Sequence, residues 1–454
     1  MPDTAAMKRV LIVSPRWVPF GSPDMQRVRM SLAYYRENGW EPIILCVNPS
    51  RINGSKEPDL AATIPQDVRT YHCEAIPAGL ARVAGIGSLG LRSLRHLWRS
   101  GAAILRREQI DLVFVSTTEF LACYAARLWN RSTGIPYIID IQDPWRTSHY
   151  ANTGTPPPGG WKYLFARLIA RVFEERSFLG ASGFISVSPR YLEDLRQRYS
   201  WMHSRLAETI EFGGSVGDLA AARSLAAASP SPLYRSPGEV HLVYTGAAGP
   251  IGQPALDALF RALRALTLSR PDEARRLHLH FIGTSYASTG EAAPSILPVA
   301  GRWGVQSHVH ESPARIGYLQ SLRWQSDADG LLLLATADPS YSASKLYPYF
   351  LSGKPILAIV HKDGRLRALL QSLGGAITAI PDDRAKAGSP DPLILSFLDA
   401  ALNGFPHGSI PERQNAYFHD HYSAQTLTRR LCTMFDQVAR GANCRAPTST
   451  HASR

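Results

Sequence analysis

Short apolar runs separated by amphipathic stretches recur along the first half of the chain. KRVLIVSP (8–15), EPIILCV (41–47) and IDLVFVST (110–117) show no alternation of polar and apolar positions, and stretches with helical periodicity follow them. Strands that are apolar on both faces are typical of a parallel sheet covered by helices on both sides. The pattern therefore predicts a doubly wound α/β domain.

The same rhythm restarts in the second half with EVHLVYTG (239–246), RLHLHFIG (276–283) and KPILAIV (354–360). An Ala-, Ser- and Pro-rich stretch without apolar periodicity precedes this restart and is interpreted as a linker. The predicted organisation is a Rossmann-like domain at 1–225, a linker at 226–237, a second Rossmann-like domain at 238–410, one or two helices at 411–440 and a disordered tail at 441–454.

Charge adds a preference for anionic partners. The 454 residues carry a formal net charge of +12, which favours nucleic acid, phosphorylated metabolites or an anionic membrane without choosing among them. Residues 91–110 form a basic amphipathic stretch in which Arg92, Arg95, Arg99, Arg106 and Arg107 surround Leu residues and Trp98. Two interpretations stay open: a helix lying on an anionic membrane, or the solvated face of an ordinary crossover helix.

Cysteine spacing and hydropathy exclude several classes of protein. The five cysteines are widely separated, so neither a disulfide scaffold nor a structural zinc site is expected, and a reducing cytoplasm is the expected location. The apolar runs are too short to cross a bilayer or to form the core of a signal peptide. Neither a metal site nor a nucleic-acid partner is expected, since the net charge is the only feature that favours nucleic acid.

Candidate chemistry in the first half lies in the loops after predicted strands. Gly21, in PFGSPDMQRV, permits close approach of the backbone to a phosphate or sugar, or simply makes a turn. Asp140 and Asp143, in IIDIQDPWR, end a strand and are followed by Trp145 and Arg146. A hydrogen bond within the sheet edge is the favoured role for Asp140, whereas Asp143 is the candidate for orienting a sugar or accepting a proton.

The second half repeats strand–glycine junctions at Gly246 and Gly283, where a backbone is able to approach a diphosphate. The segment HVHESPARIGYL supplies Glu311 and Arg315 as candidate polar groups. Two alternating histidines in that segment lack a third ligand, so metal binding there is not expected.

The segment SASKLYPYFLSGKPILAI (342–359) superficially resembles a phosphate-binding loop. Pro355 occupies the Ser/Thr position of a Walker sequence, so this class of site is excluded. Gly353 is predicted to end a helix. At the start of that helix, Ser342, Ser344 and Lys345 are the candidates for contacting phosphates.

Taken together, SPRWVPFGSPDMQRV, IDIQDPW, FISVSP and SASKLYPYFLSGKPILA resemble the GT-B glycosyltransferases of family 4 over about residues 7–435. The resemblance implies two domains, the first binding an acceptor and the second a nucleotide sugar, with the segment 411–440 packing back on the first. It also implies retaining transfer without a metal. The implied site residues are Asp143 and Lys345 in catalysis; Gly21, Gly246, Gly283, Glu311, Arg315, Ser342, Ser344 and Lys345 at the donor; and Arg27, Trp145 and Arg146 on the acceptor side.

Two departures from the family pattern bear on the donor. The loop after Gly246 contains no cation, and the family's paired glutamates fall on Ser340 and Pro348. Lys345 and Arg315 take over phosphate binding, or the donor is held differently, or activity is weakened or lost. The alternatives to a glycosyltransferase are a GT-B sugar-nucleotide epimerase and a non-catalytic nucleotide- or glycan-binding protein.

Overall fold

The computed structural model describes residues 7–83, 87–146, 161–227, 231–247, 252–285, 292–335, 344–381 and 389–443. The chain divides into two compact units, Met1–Phe212 with Ala424–Arg454, and Gly213–Ser423. Each unit contains one parallel sheet with helices around it. The predicted architecture of two doubly wound α/β domains is confirmed.

The sheet of the first unit has the strand order β3-β2-β1-β4-β5-β6-β7, and all of its described pairings are parallel. Its strands are β1 Lys8–Val13, β2 Trp40–Val47, β3 Arg69–Cys73, β4 Leu112–Ser116, β5 Tyr137–Ile141, β6 Gly183–Ser186 and β7 Leu206–Thr209. The central strands β4 and β5 are buried throughout because helices cover both faces.

Helices of the first unit connect these strands. They are α1 Gln26–Ser31, α2 Ala78–Val83, α3 Leu89–Arg107, α4 Leu121–Thr133, α5 Trp161–Phe178 and α6 Pro189–Arg198. Short 3-10 turns lie at Pro23–Met25, Leu32–Tyr34, Arg36–Asn38, Pro49–Arg51, Pro58–Thr63 and Ser200–Ser204.

Helix α3 contains most of the basic stretch predicted from the sequence, and it differs from that prediction at one arginine. Arg92 is buried, and its guanidinium donates to the carbonyl oxygens of Ile76 (2.8 Å) and Arg51 (3.1 Å). Arg95 and Arg99 are exposed. The basic face of α3 is therefore narrower than the sequence pattern indicates.

The sheet of the second unit has the order β10-β9-β8-β11-β12-β13, again with parallel pairings. Its strands are β8 Val240–Thr245, β9 Leu277–Ile282, β10 Val309–Ser312, β11 Gly330–Leu334, β12 Ile356–Ile359 and β13 Ala376–Ala379. Because β8 lies between β9 and β11, the chain order reverses at β8, and loops that follow β8 and its neighbours meet at one edge.

Helices also surround the second sheet. They are α7 Val216–Ala227, α8 Gln253–Ser269, α9 Pro271–Ala274, α10 Leu297–Trp303, α11 Tyr318–Asp327, α12 Leu346–Ser352, α13 Arg365–Leu373, α14 Pro392–Leu402 and α15 Asn415–Tyr422, with a 3-10 turn at Gln306–His308. Helix α12 ends at Gly353, whose φ of 78° is left-handed, so the predicted helix stop is confirmed.

The division into units differs from the domain boundary expected from the sequence. Residues 213–225, expected in the first domain, belong to the second unit, where α7 packs against α11 and α12. Alanine dominates α7, so no strong apolar stripe marks it as a helix in the sequence. Residue 225 therefore falls within a helix.

The last described helix, α16 Ala424–Asn443, belongs to the first unit. The Phe435 ring lies 5.5 Å from the Trp40 ring, and the indole N–H of Trp40 donates to Asp436 Oδ1 at 2.9 Å. Asp436 also forms an ion pair with Lys8. Residues from both ends of the chain therefore share one core.

Over the described residues, no helix combines the length and apolar character needed to cross a bilayer.

Candidate functional site

Two strand ends in the second unit bend at glycines. Gly246 follows β8 with φ 103°, and Gly283 follows β9 with φ 72°, both in a region that favours glycine. The Gly246 N–H donates to the carbonyl of Ile282, and the Gly283 N–H donates to that of Ser312, each at 2.8 Å. The two glycine junctions predicted from the sequence therefore lie side by side at the carboxyl edge of the sheet.

Lys345 supplies a cation at this edge. Its ammonium nitrogen lies 4.0 Å from the centroid of the Tyr244 ring. The same nitrogen would lie 3.2 Å from a Cβ atom placed on Gly246. Lys345 precedes the seven-residue α12, so the side chain rather than the helix end brings positive charge to Gly246.

Buried polar side chains hold the end of β8 in place, and sequence reasoning missed them. The Tyr349 hydroxyl, completely buried, accepts from the Thr245 N–H at 2.9 Å. Gln325 donates to Thr245 Oγ1 at 3.1 Å. Burial raises the pKa of Tyr349 above that of a free phenol, so this hydroxyl stays neutral. Tyr349 and Gln325 lie on separate helices, and spacing along the chain offers no signal for them.

Glu311 was predicted to bind the donor, but in the structure its carboxylate accepts hydrogen bonds from other protein groups. Its carboxylate accepts from the Thr284 hydroxyl at 2.6 Å and from the N–H groups of Ser295 (2.9 Å), Ile296 (3.0 Å) and Leu297 (2.9 Å). The carboxylate thus satisfies free N–H groups at the start of α10. Both oxygens are used, so the arrangement supports capping rather than ligand binding.

The remaining predicted donor residues are distributed as follows. Arg315 is exposed, and its Cα would lie 3.9 Å from a Cβ atom on Gly283. Ser344 is exposed beside Lys345. Ser342 lies outside the described residues. Pro348 is half-buried within α12 and offers no polar group.

In the first unit, an acidic side chain joins the loop after β1 to the loop after β4. Asp24 Oδ2 accepts from the Thr117 hydroxyl at 2.8 Å and from the Thr118 N–H at 3.0 Å, while Oδ1 accepts from the Ser22 hydroxyl. Gln142 donates to the Asp24 carbonyl at 2.9 Å. These bonds fix the strand-end loops in one arrangement.

Arg27 was predicted on the acceptor side, yet it is buried. Its Nε lies 2.9 Å from Asp140 Oδ2, with side-chain exposures of 4% and 0%. Arg27 Nη2 also donates to the carbonyl of Ile210 at 2.6 Å. Arg27 therefore ties α1 to the β5 end and to the segment after β7, which is an internal role. Asp140 has the buried structural role that was favoured for it.

Asp143 lies just beyond β5 and is exposed. Protein atoms around the carboxyl displace water, and this loss of solvation, followed by repulsion from the Asp24 charge, raises its pKa. An accessible carboxylate with a raised pKa is suited to accept a proton or a hydroxyl hydrogen bond.

Trp145 and Arg146, also predicted on the acceptor side, differ in their surroundings. The half-buried Trp145 ring stacks on Phe120, with centroids 5.2 Å apart and planes 14° from parallel. The Arg146 guanidinium lies 3.9 Å from the buried carboxylate of Glu174 and 3.4 Å from the Tyr199 hydroxyl. Trp145 is placed to line a pocket, whereas Arg146 is held by internal partners.

A pocket lies in the first unit at the start of α3, the β4–α4 connection and the first turns of α5. Its lining is mainly apolar and includes Leu91, Phe120, Trp145 and Phe165, while Thr118 and Glu119 supply polar atoms. Because it opens at the carboxyl edge of the sheet, it is the candidate acceptor site of this unit.

Gly21, predicted to face the donor phosphates, is buried under an acidic side chain. A Cβ atom at Gly21 would lie 1.9 Å from Glu57 Oε1. A carboxylate next to the loop repels a phosphate, so the arrangement explains why only glycine fits there but does not favour phosphate binding. Within the described residues, no group of three or more His, Cys, Asp or Glu side chains is placed to hold a metal ion.

Comparison with known proteins gives a sequence match within the first unit and a similarity of fold over most of the chain. Residues 26–207 match the family model described as a glycosyl transferase 4-like domain. No curated protein sequence matches the chain significantly.

Among solved structures, HepE of Anabaena, crystallised with UDP and glucose, is 13% identical with a TM-score of 0.55 over 95% of this chain and 100% of that chain. The sucrose-phosphate synthase of Thermosynechococcus elongatus is 12% identical (TM-score 0.57, 96% and 100% covered). The UDP-forming α,α-trehalose-phosphate synthase of Burkholderia xenovorans is 11% identical (TM-score 0.57, 96% and 100% covered). At these low sequence identities, the comparison with solved structures shows a similarity of fold alone.

Proposed function

We propose that this chain, which has the GT-B fold and matches a glycosyl transferase 4-like domain over residues 26–207, is a glycosyltransferase that transfers a sugar from a nucleotide-sugar donor to an acceptor with retention of configuration and without a metal. The second unit binds the donor and the first unit binds the acceptor. Retention and independence of a metal rest on the resemblance to family 4.

The position of Lys345 carries the proposal. Breaking the bond between sugar and nucleotide leaves negative charge on the departing diphosphate, and a preorganised cation stabilises that charge. Lys345 lies against Tyr244 and next to Gly246, where the backbone leaves room for a phosphate. Arg315, beside Gly283, is the second candidate cation. These two residues compensate for the absence of a cation in the loop after Gly246.

The ligands and products of proteins with similar structures suggest the base of the nucleotide. HepE was crystallised with UDP and glucose, and the trehalose-phosphate synthase is described as UDP-forming. A uridine diphosphate sugar is therefore the first donor class to examine. In the first unit, Asp143 is proposed to orient the acceptor hydroxyl, and Trp145 to contact the acceptor beside it.

A cytoplasmic location and a role in polysaccharide biosynthesis complete the proposal. The four described cysteines, Cys46, Cys73, Cys123 and Cys432, are all free thiols, which supports a reducing compartment. The predicted peripheral membrane contact through residues 91–110 is supported by the exposed Arg95 and Arg99 of α3, with Trp98 40% exposed beside them.

A donor screen without acceptor tests the proposal. Purified protein is incubated with uridine, guanosine and adenosine diphosphate sugars, and the released nucleotide is measured. Slow hydrolysis of one donor class, lost in Lys345→Ala and kept in Lys362→Ala, is expected; Lys362 is an exposed lysine in the same unit. Interconversion of sugars without release would indicate an epimerase. Saturable thermal stabilisation without any turnover would indicate a binding protein.

A further inference from the structure

The first turns of α5 expose large apolar side chains. Leu164, Phe165 and Leu168 are 62%, 43% and 58% exposed. Later turns of the same helix are well packed: the Phe173 ring lies 4.8 Å from that of Tyr124, and Phe178 is buried. The helix therefore begins as an apolar surface and ends as part of the core. Exposed apolar patches of this kind mark interaction sites.

This apolar surface is continuous with the pocket of the first unit. Phe165, Ala166 and Arg167 contribute both to the exposed surface and to the pocket lining, whereas Leu164 and Leu168 belong to the exposed surface alone. At the other side of the pocket lie Thr118 and Trp145, which belong to the strand-end loops near Asp143. The hydrocarbon chain of a lipid lying against α5 would thus enter a pocket that leads to the proposed acceptor end of the sheet.

The positive charge around this surface favours an anionic partner. Arg167 and Arg171 are exposed within the same turns, and Arg171 follows Leu164 and Leu168 at helical spacing. The chain as a whole carries a formal charge of +12. Apolar side chains interspersed with arginine at a helix surface are typical of helices that lie at the interface of an anionic bilayer.

We propose that the surface formed by residues 163–171 docks on an anionic phospholipid bilayer and that the adjoining pocket receives the apolar chain of a lipid-anchored acceptor. The acceptor class rests on the proposed glycosyl transfer, whereas the membrane contact does not. The proposal moves the main contact from α3, whose leucines largely face the core, to α5, whose apolar residues face outward.

Sedimentation with vesicles tests the membrane contact. The full chain is expected to bind vesicles of phosphatidylcholine mixed with phosphatidylglycerol and to bind pure phosphatidylcholine at least about tenfold more weakly. The double variant Leu164→Ser/Leu168→Ser and the double variant Arg167→Gln/Arg171→Gln are each expected to weaken binding about tenfold. Leu268→Ser is the matched control, because Leu268 is 73% exposed in the second unit.

Three results would overturn the proposal. The first is failure of the native chain to bind anionic vesicles, and the second is unchanged binding of both α5 variants. The third is loss of binding in Arg95→Gln/Arg99→Gln alone, which would show that α3 rather than α5 contacts the membrane. Donor hydrolysis in the absence of vesicles is measured on the same preparations. A chain that binds vesicles but hydrolyses no donor contradicts the proposed function and leaves the membrane contact supported.

The acceptor class has its own measurement. Transfer to a lipid-anchored sugar in anionic vesicles is expected to fall in Phe165→Ser, because the Phe165 ring lines the pocket, with donor hydrolysis in solution retained. Equal transfer by that variant and the native chain would contradict the pocket's role.

Discussion

The ammonium of Lys345 lies 4.0 Å from the centroid of the Tyr244 ring, at the point where β8 bends away through Gly246. The Tyr244 hydroxyl donates to the Ala247 carbonyl at 2.8 Å, so the ring itself is held in place. The negative face of the ring attracts the cation. A flexible lysine is thereby positioned before any ligand arrives, which reduces the entropy lost on binding.

Replacing Lys345 with alanine is expected to lower turnover of the donor by about 100- to 1000-fold, the loss typical when one preorganised charge-stabilising group is removed. The measurement is nucleotide release at saturating donor. Thermal unfolding should be nearly unchanged, because Lys345 is only partly buried. Near-normal turnover in Lys345→Ala, with Lys362→Ala as the control, would remove Lys345 from the site.

Gly246→Ala is expected to weaken donor binding and to lower stability. A φ of 103° is strained for any residue with a Cβ atom, at a cost of about 1–2 kcal/mol, and the new methyl group would lie 3.2 Å from the lysine nitrogen. The melting temperature without donor measures the loss of stability, and its increase during a donor titration measures the affinity. Gly301→Ala is the control, because that glycine lies within α10 with open space around it. Equal affinity of both variants would argue against phosphate binding at Gly246.

The sequence predicts strand ends better than the partners of individual side chains. Gly246 and Gly283 were found because each follows an apolar run, and parallel strands bring their carboxyl ends to one edge. The capping role of Glu311 could not be predicted, because the N–H groups that it caps, from Ser295 to Leu297, lie well before it in the chain. Such a contact depends on the tertiary fold, and neither spacing nor composition indicates it.

Asp143→Asn is expected to remove the acidic limb of the pH–rate profile of transfer. Reduced solvation and the charge of Asp24 raise the pKa of Asp143, so its carboxylate becomes protonated at a higher pH than an ordinary aspartate. If the carboxylate orients the acceptor, the rate falls as pH decreases through that raised value. The asparagine variant should be slower at neutral pH and lack this decline. An unchanged profile would exclude Asp143 from the reaction.

The buried pair of Arg27 and Asp140 predicts a large effect on stability. Asp140→Asn leaves the guanidinium without its counter-ion, and breaking a buried pair in this way costs about 3–5 kcal/mol. Denaturant unfolding of the full chain measures the loss. Asp272→Asn breaks the exposed pair with Arg275 and is expected to have no measurable effect. Equal stability of the two variants would contradict the structural role given to Arg27.

Two features of the first unit show why its surface was harder to predict than its sheet. Arg92 was assigned to a basic face because its helical spacing fits, yet carbonyl groups from other segments draw it inside. The start of α5 was overlooked because exposed leucines resemble core leucines in a sequence. Only the packing of neighbouring elements distinguishes an apolar residue that is covered from one that is not.

A ladder of histidines crosses the second sheet away from its carboxyl edge. His241 Nδ1 lies 3.0 Å from His280 Nε2, and His278 Nδ1 lies 3.1 Å from His310 Nε2. The Glu239 carboxylate lies 3.5 Å from His241 and 3.6 Å from His278. Burial, followed by the neighbouring His310, holds the pKa of His280 at about 3, and burial lowers the pKa values of His241 and His310 as well.

This ladder predicts loss of stability on acidification. Between pH of about 6.5, where a histidine in the unfolded chain becomes protonated, and pH 3, His280 in the folded chain binds fewer protons than it does when unfolded. The free energy of unfolding therefore decreases as pH falls, by up to about 1.4 kcal/mol per pH unit for this residue. Between pH 7 and pH 5, the melting temperature of the native chain should fall more steeply than that of His280→Gln, which lacks this titrating group. His407→Gln, at an exposed position outside the ladder, is the control. Parallel curves for the native chain and His280→Gln would show that the ladder does not govern acid stability.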